Sequence, residues 1–182
     1  MINKDVLDLD WNNLAPEQSI IFGNLPYNIS AKILTNWIGL NNLNFIFKKF
    51  ILMFQKEVAD RIVAEVNSSK YGRLSILTAW KMKVKKIMDI SPENFYPQPK
   101  VKSSLLYFEP KDKYFKLNQS KNLENVTNIF FQNRRKMVKK PLKILFKDTL
   151  EITKKLNIDL NCRPQNLEPL IFFKIAQELE KN

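Results

Sequence analysis

Asn24, Leu25, Pro26 and Tyr27 put an amide, a proline and a phenol into four consecutive positions, inside the stretch GNLPYNIS. An Asn side chain offers an oxygen acceptor and two N–H donors, Pro fixes its own φ and exposes a carbonyl, and Tyr supplies a flat stacking face. One chemistry that uses all three is methylation of the exocyclic amine of a nucleobase. Such a nitrogen is a poor nucleophile because its lone pair is delocalised into the ring. Two acceptors on its hydrogens, the Asn24 side-chain oxygen and a main-chain carbonyl near Pro26, favour a pyramidal nitrogen with its lone pair aimed outwards, while Tyr27 stacks on the flipped base. Positioning and electrostatics carry such a step. The same residues also suit a plain turn with a capping Asn and a packed Tyr, since Asn and Pro are ordinary turn formers.

The elements around this stretch place it where a ligand site belongs. Ile20 to Phe22 reads as a short buried strand, and Ser30 as the N-cap of a helix whose Ile33, Leu34, Trp37 and Ile38 share a face. A second buried strand spans 50–54, followed by a helix with Val58, Ile62, Val63 and Val66 on one side. Tyr71-Gly72-Arg73 marks a turn before a helix to about Trp80, and strands follow near Val84–Ile90 and Ser104–Phe108. Such alternation predicts an α/β sheet with crossover helices, in which ligands bind beyond the carboxyl ends of the strands. After Pro110 the pattern is polar and then helical. The expected division is an α/β domain over residues 1–112 and a small basic helical domain over 113–182.

Composition narrows the chemistry. There is no histidine, and Cys162 is the only cysteine, which excludes disulfide frameworks, Cys/His zinc sites and imidazole bases. No metal is expected. The net charge of +12 points to a polyanionic partner, because cations that neutralise phosphates gain free energy from counterion release. That charge is uneven: residues 1–112 hold 15 Lys/Arg against 11 Asp/Glu, whereas residues 113–182 hold 15 against 7. Arg134, Arg135, Lys136, Lys139, Lys140, Lys143 and Lys147 form a run without an intervening acid, suited to an RNA backbone or to a solvated helix face. No apolar stretch has the length of a membrane helix, and MINKDVLDLDW lacks a signal pattern, so a cytoplasmic location is expected.

The segments IFGNLPYNIS, FQKEVADRIVAE, YGRLSILTAW, FYPQPKVKSSLLYFEP, FQNRRKMVKK and CRPQNLEP occur in an order that resembles the ribosomal RNA adenine dimethylase family. The resemblance implies the C-terminal part of a Rossmann-like, S-adenosylmethionine-dependent methyltransferase sheet followed by a helical domain. It implies that Asn24, Leu25, Pro26 and Tyr27 form the catalytic loop, that Phe95 closes the adenine against Tyr27, and that Asp5 and Asn24 touch the cofactor. Lys100, Arg134, Arg135, Lys136, Lys139 and Lys140 are then the RNA-binding residues. The implied substrate is small-subunit rRNA, in an immature small ribosomal subunit. Two other readings are a large-subunit rRNA adenine methylase conferring macrolide resistance and a non-catalytic RNA-binding or ribosome-assembly module.

The resemblance opens at about the family's fourth strand. The family's cofactor site begins with a glycine-rich loop, yet the glycines here are Gly23, Gly39 and Gly72, none of them in a GxG arrangement. An N-terminally truncated chain with an incomplete cofactor pocket, an exposed sheet edge and weak cofactor binding is therefore expected.

Overall fold

The structure, a computed structural model, describes residues 3–181. The chain divides into two compact units, one running to Val63 and resuming over Lys81–Tyr114, the other made of Ala64–Trp80 and the chain from Phe115 onwards.

The first unit is built on four strands, β1 (Ser19–Asn24), β2 (Phe47–Gln55), β3 (Met82–Ile90) and β4 (Ser103–Pro110), in the order β1-β2-β4-β3. β1 and β2 are parallel, and β4 runs against both of its neighbours. The direction of β4 follows from its connection. Between β3 and β4 lie only the loop 91–102 and a single 3-10 turn, too little for a crossover helix, so the chain doubles back. The helices of this unit are α1 (Trp11–Leu14), α2 (Ser30–Gly39), α3 (Leu43–Ile46) and α4 (Lys56–Ile62).

Alternation gives the sheet one dry face and one more open face. Phe50, Leu52 and Phe54 of β2 and Leu106 and Phe108 of β4 are fully buried, with Phe50 opposite Phe108 and Leu52 opposite Leu106. Each such side chain contributes about 1.5–3 kcal/mol through removal from water. Ile33, Leu34, Trp37 and Ile38 of α2 are buried as their spacing predicts, and Trp37 meets Phe50 at 5.3 Å. β1, expected to be buried, is not: as the edge strand it leaves Ile20 and Phe22, one step out of phase, 47% and 72% exposed.

Two local expectations change. Ser30 lies inside α2 rather than capping it; it is buried, and its hydroxyl donates back to the Tyr27 carbonyl at 3.2 Å. The helix after β2 stops at Ile62, short of Val63 and Val66, because the chain leaves the first unit there and Asn67 takes a left-handed φ of 70°.

The second unit holds α5 (Arg73–Lys81) up to Trp80, followed by α6 (Ser120–Gln132), α7 (Lys139–Leu145), α8 (Thr149–Leu156) and α9 (Pro169–Leu179). Residues 64–80 join the C-terminal helices, although the sequence pattern groups them with the sheet. Tyr71 accounts for this: it is buried, its hydroxyl donates to the Leu167 carbonyl at 2.9 Å, and its ring meets Phe131 edge-on. Burial, and then the charge of Glu168, push its phenol well above the ordinary range. Glu180 accepts the N–H groups of Asn118 and Gln119 at 3.0 Å each, placing a carboxylate at the positive end of α6. Among the described residues no helix is long and apolar enough to cross a membrane.

Candidate active site and basic groove

β1 delivers Asn24 to its carboxyl end, in register with Met53. Gly23 precedes it in a tight place: a Cβ there would stand 3.0 Å from Leu52 Cδ2 and 3.1 Å from Leu25 Cδ2, so both leucine side chains would have to give. The chain then turns into α2 through two bonds. The Ile29 N–H donates to the Pro26 carbonyl at 3.1 Å, and the Ser30 hydroxyl takes the Tyr27 carbonyl. The Leu25 carbonyl takes part in none of these loop bonds, and the Asn24 amide has no side-chain partner among the described residues. The two acceptors left for a ligand are therefore the Asn24 oxygen and the Leu25 carbonyl, both at the open end of the strand.

Facing them is the loop from β3 to β4. Asn24, Leu25, Pro26 and Tyr27 on one side and Phe95, Tyr96, Pro97 and Pro99 on the other line a cavity of about 340 Å³. Tyr27 and Phe95 are half-buried, whereas Tyr96 is fully exposed at the rim. Phe95 is set by its N–H, which donates to the Pro92 carbonyl and closes the preceding 3-10 turn. Lys100 is exposed on the same loop and does not line the cavity.

One residue of this site escaped the sequence reading. Ser103, fully buried at the start of β4, shares a hydrogen bond of 2.8 Å with the Tyr27 hydroxyl. The only signal for it is the pair Ser103-Ser104 opening an otherwise apolar strand. Ser104 points the other way, its hydroxyl donating to Asp89 at 2.6 Å. Asp89 belongs to a balanced cluster in which Lys56 and Lys86 each reach both Asp60 and Asp89 at 2.8 to 3.2 Å. The Lys86 hydrogen bond, with that of Ser104, holds the Asp89 carboxyl well below the usual range, and Asp89 in turn lifts Lys86. Burial works to raise Asp60, but Lys86 and Lys56 outweigh it and the net shift is downwards. Paired so, these groups brace the ends of β3 and α4.

Asp5 spends one carboxylate oxygen on its own turn, accepting the Leu7 N–H at 2.9 Å, and does not line the cavity that Asn24 lines.

In the second unit Arg135, Lys136, Met137, Lys139, Lys140 and Lys143 join Asn161 and Arg163 around a groove of about 590 Å³ with no acidic side chain in its lining. Arg163 lies 16 positions after the end of the run at Lys147 and was not singled out by it. Arg134 is differently employed. Its Nε donates to Gln165 and its two terminal nitrogens to the carbonyls of Ser69 and Ser68, so its fork ties segment 64–80 to the C-terminal helices. Lys147 lines a separate hollow with Asp148, Glu151 and Glu178.

The family profile for ribosomal RNA adenine dimethylase matches residues 1–181. The chain belongs to the ribosomal RNA adenine dimethylase family. It is 54% identical over 180 residues to the ribosomal RNA small subunit methyltransferase A of Pelagibacter ubique, covering 99% of this chain and 69% of that protein. The protein of the same name from Ehrlichia ruminantium is 45% identical over 179 residues, covering 96% of this chain and 66% of the other. This adenine dimethylase chain thus spans about two thirds of the length of these relatives. Among solved structures, a dimethyladenosine transferase from Plasmodium falciparum superposes with a TM-score of 0.78 at 27% identity, over 94% of this chain and 70% of that one. The 23S rRNA methyltransferase ErmE, with a TM-score of 0.63 at 16% identity over 98% of this chain and 71% of that one, shows the shared fold alone. The Rossmann-like methyltransferase fold expected from the sequence is the one observed. The family is one of S-adenosylmethionine-dependent rRNA adenine dimethyltransferases, so the chain is an enzyme by family.

Proposed function

We propose that this chain carries the base-holding side of an rRNA adenine dimethyltransferase acting on small-subunit rRNA in the immature subunit, in the cytoplasm. The observation that carries the reading is the cavity between the Asn24–Tyr27 loop and Phe95, with an amide and a carbonyl left unengaged at its edge. A flipped adenine slides between the Tyr27 and Phe95 rings. Its exocyclic amine donates one hydrogen to Asn24 Oδ1 and the other to the Leu25 carbonyl, which bends the nitrogen out of the ring plane and exposes its lone pair. Pro26 fixes the φ that holds the Leu25 carbonyl outward, its own carbonyl being taken by Ile29. Tyr96 at the rim offers a face to a neighbouring nucleotide. Lys100 on this loop, and Arg135, Lys136, Lys139 and Lys140 with Lys143 and Arg163 in the basic groove, meet phosphates; Arg134 supports the groove from behind.

The family implies S-adenosylmethionine, which when bound supplies the methyl group. Of the residues assigned to it, Asn24 has a free amide, while Asp5 keeps a single carboxylate oxygen uncommitted to its turn. In this reading Asp5 would accept from its adenine and Asn24 would lie beside its methyl group, the two residues by themselves making an incomplete pocket.

Two proteins test this reading: the 182-residue chain, and a chimera that adds the portion of the Pelagibacter relative that this chain does not match. The chimera is expected to methylate adenines of immature small subunits, and Asn24→Ala to lower turnover by about 100-fold or more with RNA affinity within about twofold. RNA binding without methyl transfer by the chimera would favour the non-catalytic assembly module instead. A nearly active Asn24→Ala chimera would remove Asn24 from the chemistry.

A further inference from the structure

The geometry points to Ser103 as a positioning residue that aims the Tyr27 ring, an inference that rests on the base-stacking reading of Tyr27. Stacking on a base needs only a ring face, which Phe provides as well as Tyr. The phenolic oxygen therefore has some other employment, and here it lies 2.8 Å from Ser103 Oγ. Ser103 is fully buried at the start of β4, an interior strand, and its pairing with Gln55 on one side and Ile90 on the other offers Tyr27 a partner held by two neighbouring strands.

The mechanical consequence follows from where the bond sits. Tyr27 is on a loop, and a loop aromatic with two free torsions sweeps a cone. Pinning the hydroxyl while the backbone is held by the turn fixes both ends of the ring's long axis, leaving only rotation about that axis. A catalytic stacking surface has to be held within about 10–20°. Ser103 is also the residue at which the Phe95 loop rejoins the sheet, so one hydrogen bond references both walls of the cavity to the same strand. The neighbouring Ser104 does the corresponding task on the other face by holding Asp89 at the end of β3. Of the two ends of loop 91–102, one is therefore tied to the Asn24–Tyr27 loop and the other to the ion cluster.

The test has a ligand-free arm and a ligand arm. The chain is labelled uniformly with 3-fluorotyrosine, and the Tyr27 signal among the 5 tyrosines is assigned by its loss in Tyr27→Phe. Ser103→Ala is expected to shift and broaden that fluorine signal while the other four hold, and Ser103→Thr, which keeps a hydroxyl, to restore it. An unmoved Tyr27 signal in Ser103→Ala overturns the anchor. In the ligand arm, the chimera with the Pelagibacter portion is mixed with an RNA carrying 2-aminopurine at the target adenine. Quenching by stacking is expected to fall several-fold in Ser103→Ala and in Tyr27→Phe, no further in the double variant, and to survive in Ser103→Thr. Turnover should follow the quenching through kcat, with KM for RNA within about twofold of the parent. Independent, additive losses overturn the positioning role, as does full quenching in Ser103→Ala. An absence of quenching in the parent overturns the base-stacking reading itself, whereas the fluorine signal still decides whether Ser103 holds the ring.

Discussion

At the scale of single residues, the site depends on what each group is left free to do. Asn24 and Leu25 stand out because the turn into α2 consumes the carbonyls of Pro26 and Tyr27 and leaves the Asn24 side-chain amide and the Leu25 carbonyl out of its bonds. Gly23 matters for the opposite reason, as the lack of a side chain keeps Leu25 and Leu52 in place. Gly23→Ala is expected to cost about 1–3 kcal/mol by overpacking and to displace Leu25, seen as a lower melting temperature together with weakened adenine binding. A variant as stable as the parent, with unchanged binding, would mean that the two leucine side chains simply rotate away. Sequence types alone could nominate Asn24 and Tyr27 as candidates, because an amide and an aromatic ring announce their chemistry. They could not name Ser103, whose relevance exists only once residues 76 positions apart in the chain meet.

At the scale of elements, strands were legible where apolar runs are long, as in β2 and β4, and α2 was legible from the spacing of Ile33, Leu34, Trp37 and Ile38. Ends were less so. Ser30 has the right type for a cap, but its hydroxyl turns back to Tyr27; Val63 and Val66 continue a helical spacing that tertiary contacts interrupt at Asn67. The run of basic residues was visible, but not that its first member faces inwards. Arg134→Lys, which loses the planar fork, should destabilise the second unit by about 1–3 kcal/mol while leaving RNA affinity within about twofold. A large loss of affinity at unchanged stability would return Arg134 to the RNA surface. The ion cluster makes a pH prediction. The folded pKa of Asp89 is depressed, so its contribution is complete above its ordinary value of 3.8 and is lost as pH falls through the lower folded value. Thermal unfolding should therefore show the parent losing more stability than Asp89→Asn between pH 5 and pH 3. Parallel losses in the two proteins would show that the cluster contributes nothing to acid stability.

For the whole molecule, charge and apolar surface set the behaviour. The +12 charge and the acid-free groove predict RNA binding that weakens steeply with salt. Each of Lys139→Ala, Lys140→Ala and Arg163→Ala should reduce the slope of log K against log salt by about 0.7–0.9. Slopes that match the parent would place the RNA elsewhere. β1 is the edge of the observed sheet, with Phe22 72% and Ile20 47% exposed. Contiguous apolar surface on a strand edge favours self-association. Light scattering of the isolated chain should show oligomers that Phe22→Lys reduces; a strictly monomeric parent would contradict this.

The bond between Tyr27 and Ser103 also sets an order of events. Its partners are separated by 76 residues, so during synthesis the Tyr27 ring leaves the ribosome long before the strand that holds its hydroxyl. An unfinished chain thus carries the Asn24–Tyr27 loop without the bond that orients its ring, and that bond forms only when β4 docks. The same reasoning makes loop 91–102 a vulnerable joint: a single proteolytic cut there, leaving every strand in place, is enough to uncouple Phe95 from Tyr27.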